Sequence, residues 1–220
     1  MAITINGTAN TITGLAVGGL PDNTIDNGCM ADDAIGVADL SATGTASSST
    51  YLRGDNSWAA IPAGGLTEVD LFRMTSTFSG SSTPITSNLE RANGNRGFDK
   101  KGTGVTNSSG IFSFPSTGHW RVTFNAAWYY SSASSNCAAE IQYTPDDGSN
   151  WSYAARGQTH IEDWDSYNVY AQTHVEHYID VTDISNQKVR FYIAVHNSPN
   201  CEGNSNENRT YMTFQKLADT

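Results

Sequence analysis

Between Trp120 and Tyr129 the chain changes side with every residue. Trp120, Val122, Phe124, Ala126 and Trp128 alternate with Arg121, Thr123, Asn125, Ala127 and Tyr129. A two-residue period places one set on each face of a strand and is incompatible with a helical stripe. Val189, Phe191, Ile193 and Val195 repeat the pattern against Lys188, Arg190 and Tyr192. Ile141 and Tyr143 lead into the turn cluster Thr144-Pro-Asp-Asp-Gly-Ser-Asn150, and Trp151-Ser-Tyr153 follows it. Gly, Ser and Thr interrupt every candidate helix window. From Leu66 onward the chain reads as several short strands, hence an antiparallel sandwich or jelly roll.

Residues 1–66 obey a different rule. Leu15, Leu20, Ile25, Met30, Ile35 and Leu40 recur every five residues, a spacing that fits neither a helix face nor a strand face. A slender winding with one inward side chain per turn has no place to bury them alone. Three chains around an axis would bury all six as a stalk core. Ser41-Ala-Thr-Gly-Thr-Ala-Ser-Ser-Ser-Thr50 reads as a flexible joint. Arg53-Gly54-Asp55 reads as turn chemistry between two short strands rather than an integrin motif. The expected division is an attachment segment and stalk over 1–50, a connector over 51–65, and a head over 66–220.

Charge excludes several function classes. The net charge is −10, split evenly between the two parts, and no basic patch marks a nucleic-acid binder. No apolar run is long enough for a membrane span. Met1-Ala-Ile-Thr-Ile-Asn-Gly7 lacks a basic region followed by an apolar stretch, so no secretory signal is expected. Cys29, Cys137 and Cys201 show no CxxC spacing, and free thiols are expected rather than a zinc or redox site.

Two resemblances add to this reading. Phe112, Phe114, Pro115, Gly118, Trp120, Val122 and Phe124 fall on a pattern that resembles the globular heads of the first complement component. That family shares its jelly roll with tumour necrosis factor, and usually has Tyr where Trp120 stands. Thr210-Tyr-Met-Thr-Phe-Gln-Lys-Leu217 resembles the final strand of those heads less closely. Ile3-Thr-Ile-Asn-Gly7, Gly18-Gly-Leu-Pro-Asp22, Ala31-Asp-Asp-Ala-Ile35 and Thr50-Tyr-Leu-Arg-Gly-Asp-Asn-Ser-Trp58 resemble tail-fibre and appendage proteins of bacterial viruses, marine ones in particular.

Together these imply an all-β chain, a jelly-roll head on a slender trimeric stalk. They also imply a virion location, attachment to another virion protein through the N-terminal segment, a host-cell partner and no catalysis. In the family topology the inner sheet meets two symmetry mates. Arg121, Thr123, Asn125 and Tyr129 would then face the trimer interface, as would Gln172, His174, Glu176 and Tyr178. Val175, Ile179 and Val181 would fill the core. The loops carrying Cys137 and Cys201 would lie at one end of the sandwich, which leaves a disulfide between them open. Assembly in a reducing cytoplasm argues against it.

The chemical candidates are few. His174 and His177 point to opposite faces of a strand and cannot chelate one ion within a chain. His174 could meet its copies on a three-fold axis beside Glu176, around a cation or as plain hydrogen bonds. No cofactor is otherwise expected. His177 reads as a buried core histidine, and Asp146-Asp147-Gly148 as a hairpin turn before a calcium loop. His160-Ile-Glu-Asp-Trp-Asp165 gathers acids around a Trp. Either Trp164 stacks on a sugar while Glu162, Asp163 and Asp165 accept its hydroxyls, or the Trp tucks into the head.

Three loops, about 130–137, 158–168 and 197–209, are expected at the tip. His160, Glu162, Asp163, Trp164, Asp165 and Tyr167 are the candidate receptor site, with Glu202, Asn204 and Asn206 beside them. The ligand would be a host surface glycan or protein. The alternatives are a decoration fibre without a specific receptor, and a glycan-degrading enzyme.

Overall fold

The computed structural model describes residues 4–6, 8, 11–13, 36, 40–61, 64–93, 97–165 and 167–220. Five of the six expected stalk-core residues, Leu15, Leu20, Ile25, Met30 and Ile35, lie outside them. The chain divides into two compact units, Met1–Gly64 and Gly65–Thr220.

The first unit holds two antiparallel hairpins. Strands β1 (Thr4–Asn6) and β2 (Thr11–Thr13) form one, and β3 (Thr50–Leu52) and β4 (Trp58–Ala60) the other. Arg53, Gly54 and Asp55 form the expected turn. Asn56 N–H donates to Arg53 C=O at 3.0 Å, and Asn56 takes a positive φ of 60°. The joint expected over 41–50 is instead tied down. Trp58 N–H donates to Thr43 C=O at 2.8 Å and Ile61 N–H to Ser49 C=O at 2.9 Å. Ser47 N–H donates to Thr50 Oγ1 at 2.8 Å. Short hydroxyl side chains bond nearby backbone, so a Ser/Thr-rich run can be structured without a core. Leu40 is exposed on the single chain.

The second unit is two antiparallel sheets packed face to face. Its strands are β5 (Val69–Met74), β6 (Ser76–Ser79), β7 (Thr83–Pro84), β8 (Leu89–Arg91), β9 (Lys100–Lys101), β10 (Thr106–Ser108), β11 (Ile111–Ser113), β12 (Gly118–Tyr130), β13 (Ser134–Thr144), β14 (Ser152–Ile161), β15 (Val169–Val181), β16 (Lys188–Val195), β17 (Asn200–Asn204) and β18 (Tyr211–Ala218). The inner sheet runs β6-β17-β12-β18-β5-β8, with β15 on the other side of β12 and β9 beside β5. The outer sheet runs β10-β11-β16-β13-β14, with β7 beside β16.

The alternation fixes which side chains meet between the sheets. Trp120, Val122, Phe124, Ala126 and Trp128 are all buried, and Val175, Ile179 and Val181 join them from β15. Phe112, Ile141, Phe191 and Ile193 face them from the outer sheet. Phe191 sits 5.1 Å from Phe124 and 5.3 Å from Phe112, ring centre to ring centre. The pattern that runs from Phe112 through Gly118 acquires a physical cause here. Gly118 has φ 137°, and a Cβ there would stand 2.5 Å from Ala218 C=O. Phe114 packs on Trp120, whose Nε1–H donates to Ser116 C=O at 3.2 Å.

The β13–β14 turn matches the hairpin reading. Asp147 and Gly148 take positive φ, and Asp146 accepts bonds from Thr144 Oγ1 at 2.7 Å and Asn150 N–H at 2.9 Å. Those bonds pull the Asp146 carboxyl down to about 2, with Thr144 the largest cause. Cys137 and Cys201 are buried free thiols, so the disulfide left open above is not formed. Each contacts a hydroxyl instead, Ser134 Oγ at 3.6 Å and Thr210 Oγ1 at 3.7 Å. Burial pushes the Cys201 thiol up to about 12 and raises Cys137 as well. His177 is half-buried on the core side, and burial lowers its pKa.

Candidate functional site

Strand register decides which loops share an end. Gly118 pairs with Val181 and Tyr130 with Val169, so β12 ends where β15 begins. Ser134 pairs with Ile161, and Cys137 with Val195. The connections after β12, β14 and β16 therefore gather at one end of the sandwich. Gln215 pairs with Val69, so the first and last strands of this unit have their outer ends together at the opposite end.

At the distal end the 160–167 segment stands out. Tyr167 N–H donates to Trp164 C=O at 2.9 Å, closing a turn in which Asp165 has φ 46°. Both rings point outward: Trp164 is 70% exposed and Tyr167 72%. The reading in which Trp164 tucks into the head is therefore replaced by an open ring. His160 Nε2 lies 3.6 Å from Glu162 Oε1, and both side chains are exposed. His160, Glu162 and Asp163 line an open depression of about 550 Å³ with Ala133, Ser134, Ser135 and Ile161.

That depression has a firm floor. Ser134 Oγ donates to His196 C=O at 2.5 Å, and Ser135 Oγ lies 3.2 Å from His196 Nδ1. Asn197 Nδ2 donates to Ala133 C=O at 3.0 Å. The 130–137 loop was expected at the tip with the other two, but Ser134, Ser135 and His196 were not singled out as site residues, because only the register shows which of their side chains meet. Their Ser-rich loop beside a polar turn was the available signal.

Glu202, Asn204 and Asn206 do not join this group. The stretch expected as a loop contains strand β17, which holds Glu202 and Asn204 and pairs with β6 and with β12. Trp128 pairs with Cys201, so Glu202 follows Ala127 onto the open face of the inner sheet. There it lines a depression with Ala127, Tyr170 and Gln172 and forms an ion pair with Arg209. Asn206 N–H donates to Asn204 Oδ1 at 2.7 Å, which makes a separate turn.

The open face of the inner sheet carries the expected interface residues, with two corrections. Gln172, His174, Glu176 and Tyr178 are exposed, as is Tyr170, at 63%. Tyr129 is half-buried and packs on Tyr170 at 5.8 Å. Arg121 Nε and Nη2 donate to Glu176 Oε2 at 2.9 and 2.6 Å, and this holds the Glu176 carboxyl below its ordinary range. Thr123 and Asn125, by contrast, are already covered by their own chain. Thr123 Oγ1 meets Thr213 Oγ1 at 2.5 Å, and Asn125 Nδ2 donates to Arg209 C=O at 3.2 Å. Among the described residues no cluster of three His, Cys, Asp or Glu side chains could hold a metal ion.

Comparison with solved structures places this architecture. Eiger TNF from S. frugiperda superposes with a TM-score of 0.52 at 10% identity, over 69% of this chain and 93% of that one. The head has a tumour-necrosis-factor-like jelly-roll fold. Murine APRIL, in its structure at pH 5.0, gives a TM-score of 0.50 at 11% identity, over 68% of this chain and 98% of that one. No protein-family model and no curated protein matches the chain. The TNF-like head thus rests on shape: at 10% and 11% identity the likeness lies in the fold and not in the sequence.

Proposed function

We propose that the chain is a homotrimeric fibre protein of a bacteriophage particle, and that its TNF-like head binds a receptor on the host cell, a surface glycan foremost. The observation that carries this reading is the exposed Trp164–Tyr167 turn beside the acidic depression, at the end opposite the head's first and last strands. Exposed aromatic rings on a loop with a rigid floor suit recognition better than packing. Tyr170 and Tyr178 on the open inner-sheet face support self-association, since tyrosines concentrate at interfaces. Three heads on one axis would multiply weak single-site affinity. The N-terminal strings that resemble phage appendage proteins support the virion setting and attachment to a second virion protein. The reading assigns binding and no catalysis.

Replacing Trp164 with Ala, or Asp163 with Asn, should leave the fold intact, because both side chains are exposed. Adsorption of the purified protein to host cells should fall on the order of tenfold for Trp164→Ala, the loss of one stacked ring and its burial. Unchanged adsorption in both variants would remove the tip site and favour a fibre with a purely structural role.

A further inference from the structure

The outer sheet presents a second surface that the tip site does not use. Its central strand β13 turns Glu140 and Gln142 away from the core, yet they are only 1% and 5% exposed. The flanking strands supply the cover. Glu140 stands between Arg156 and Tyr192, and Gln142 between Tyr153 and Arg190. Arg190 lies over the Trp151 ring at 4.3 Å and its Nε–H donates to Gln142 Oε1 at 2.7 Å. Arg156 Nε lies 3.3 Å from Glu140 Oε1. A fixed layer of guanidinium, amide and aromatic groups results.

Charge segregates onto this face. In a chain of net charge −10, the outer-sheet strands carry Arg156, Lys188 and Arg190 against the single acid Glu140. Lys188 is taken by Asp147. Among the described residues the terminal nitrogens of Arg156 and Arg190 donate no hydrogen bond. Burial lowers the Arg190 pKa, and no carboxylate contributes to offset it. Burial also raises the Glu140 carboxyl, outweighing the attraction of Arg156. The two guanidiniums are thus weakly compensated donors in forks suited to carboxylates.

Their spacing narrows the ligand. β14 and β16 flank β13, so the two arginines stand two strand spacings apart and two residues out of step, about 12 Å between Cα atoms. One carboxylate cannot engage both. Carboxylates on alternating sugars of an extended polymer can. Tyr153, 69% exposed, shares β14 with Arg156 and faces Arg190 across Gln142, so its ring stands beside both.

We propose that the outer sheet binds an acidic polysaccharide, with Arg156 and Arg190 each holding a carboxylate and Tyr153 stacking on an adjacent sugar. Side-chain rings favour a glycan over an acidic polypeptide, which has no sugar faces to stack.

The test is native gel electrophoresis of the full chain through gels containing a polyuronate, neutral dextran or poly-glutamate. Ionic strength near 0.15 M limits the reach of the overall negative charge to about 8 Å. Retardation by the polyuronate alone is expected. Arg156→Gln with Arg190→Gln should weaken it on the order of tenfold or more, the scale of lost charge-assisted bonds. Tyr153→Ala, which keeps both arginines, should weaken it several-fold. Trp164→Ala should change nothing. Absent retardation, equal retardation by poly-glutamate, or full retention in both the arginine and tyrosine variants would overturn the proposal. Loss on Trp164→Ala alone would also overturn it, by moving the polyuronate to the tip and leaving the tip reading intact.

Discussion

Phe191→Ala should lower the unfolding free energy by about 3–5 kcal/mol, the range for truncating a buried aromatic. Phe191 is fully buried on β16 and touches rings from both sheets: Phe112 at 5.3 Å, Phe124 at 5.1 Å and Phe214 at 5.9 Å. Its removal costs the transferred area and leaves a cavity that three rigid rings cannot collapse into. Edge-on geometry adds a further contribution beyond area. Domains are stable by only about 5–15 kcal/mol, so roughly a fifth or more of that margin would be lost. Urea unfolding at a fixed chain concentration reads the change, since association shifts apparent stability. Ile184→Ser, in an exposed turn, is the control. A loss below about 1 kcal/mol for Phe191→Ala would place the packing centre elsewhere.

Arg91→Met should be comparably damaging, for an electrostatic reason. Asp70 is 1% exposed and accepts four bonds at 2.9 Å: from Leu71 N–H, Val105 N–H, and Arg91 Nε and Nη2. Arg91 Nη2 also donates to Val105 C=O at 2.7 Å, and its guanidinium lies 4.9 Å from the Phe72 ring centre. The group staples β5, β8 and the segment entering β10. The hydrogen bond to Asp70 is the largest cause of the raised Arg91 pKa. Removing Arg91 leaves a buried carboxylate with no cation, which costs about 3–5 kcal/mol. The double variant Asp70→Asn with Arg91→Met should recover part of that loss in urea unfolding. If it recovers nothing, the charge is not the cause and lost packing over Phe72 is.

Much of this core was legible because strand alternation reports faces directly. Trp120, Val122, Phe124 and Phe191 fall inside as the two-residue period requires. What alternation cannot report is lateral cover. Thr123 and Asn125 lie on the face expected, yet β18 and Arg209 close over them. Glu140 and Gln142 point outward and are still buried, because arginines and tyrosines on neighbouring strands lean across. Pairing was equally hidden. Residues 197–209 look like one long polar loop, but Gly203 and Glu202 sit in a bulged strand whose partner is 126 residues earlier, through Gly203 N–H to Thr77 Oγ1. At the tip, Trp164 and its acids were readable from composition. The serine floor and His196 came only with the register.

The central claim is that the open face of the inner sheet, with Tyr170, Tyr178 and Gln172 exposed, is closed by two further copies of the chain. Sedimentation equilibrium on the full-length protein tests it most directly. At micromolar concentration the mass should be about three times the 23.7 kDa chain, and Tyr170→Asp with Tyr178→Asp should return it to the single-chain value. A single-chain mass for the unaltered protein would contradict the account.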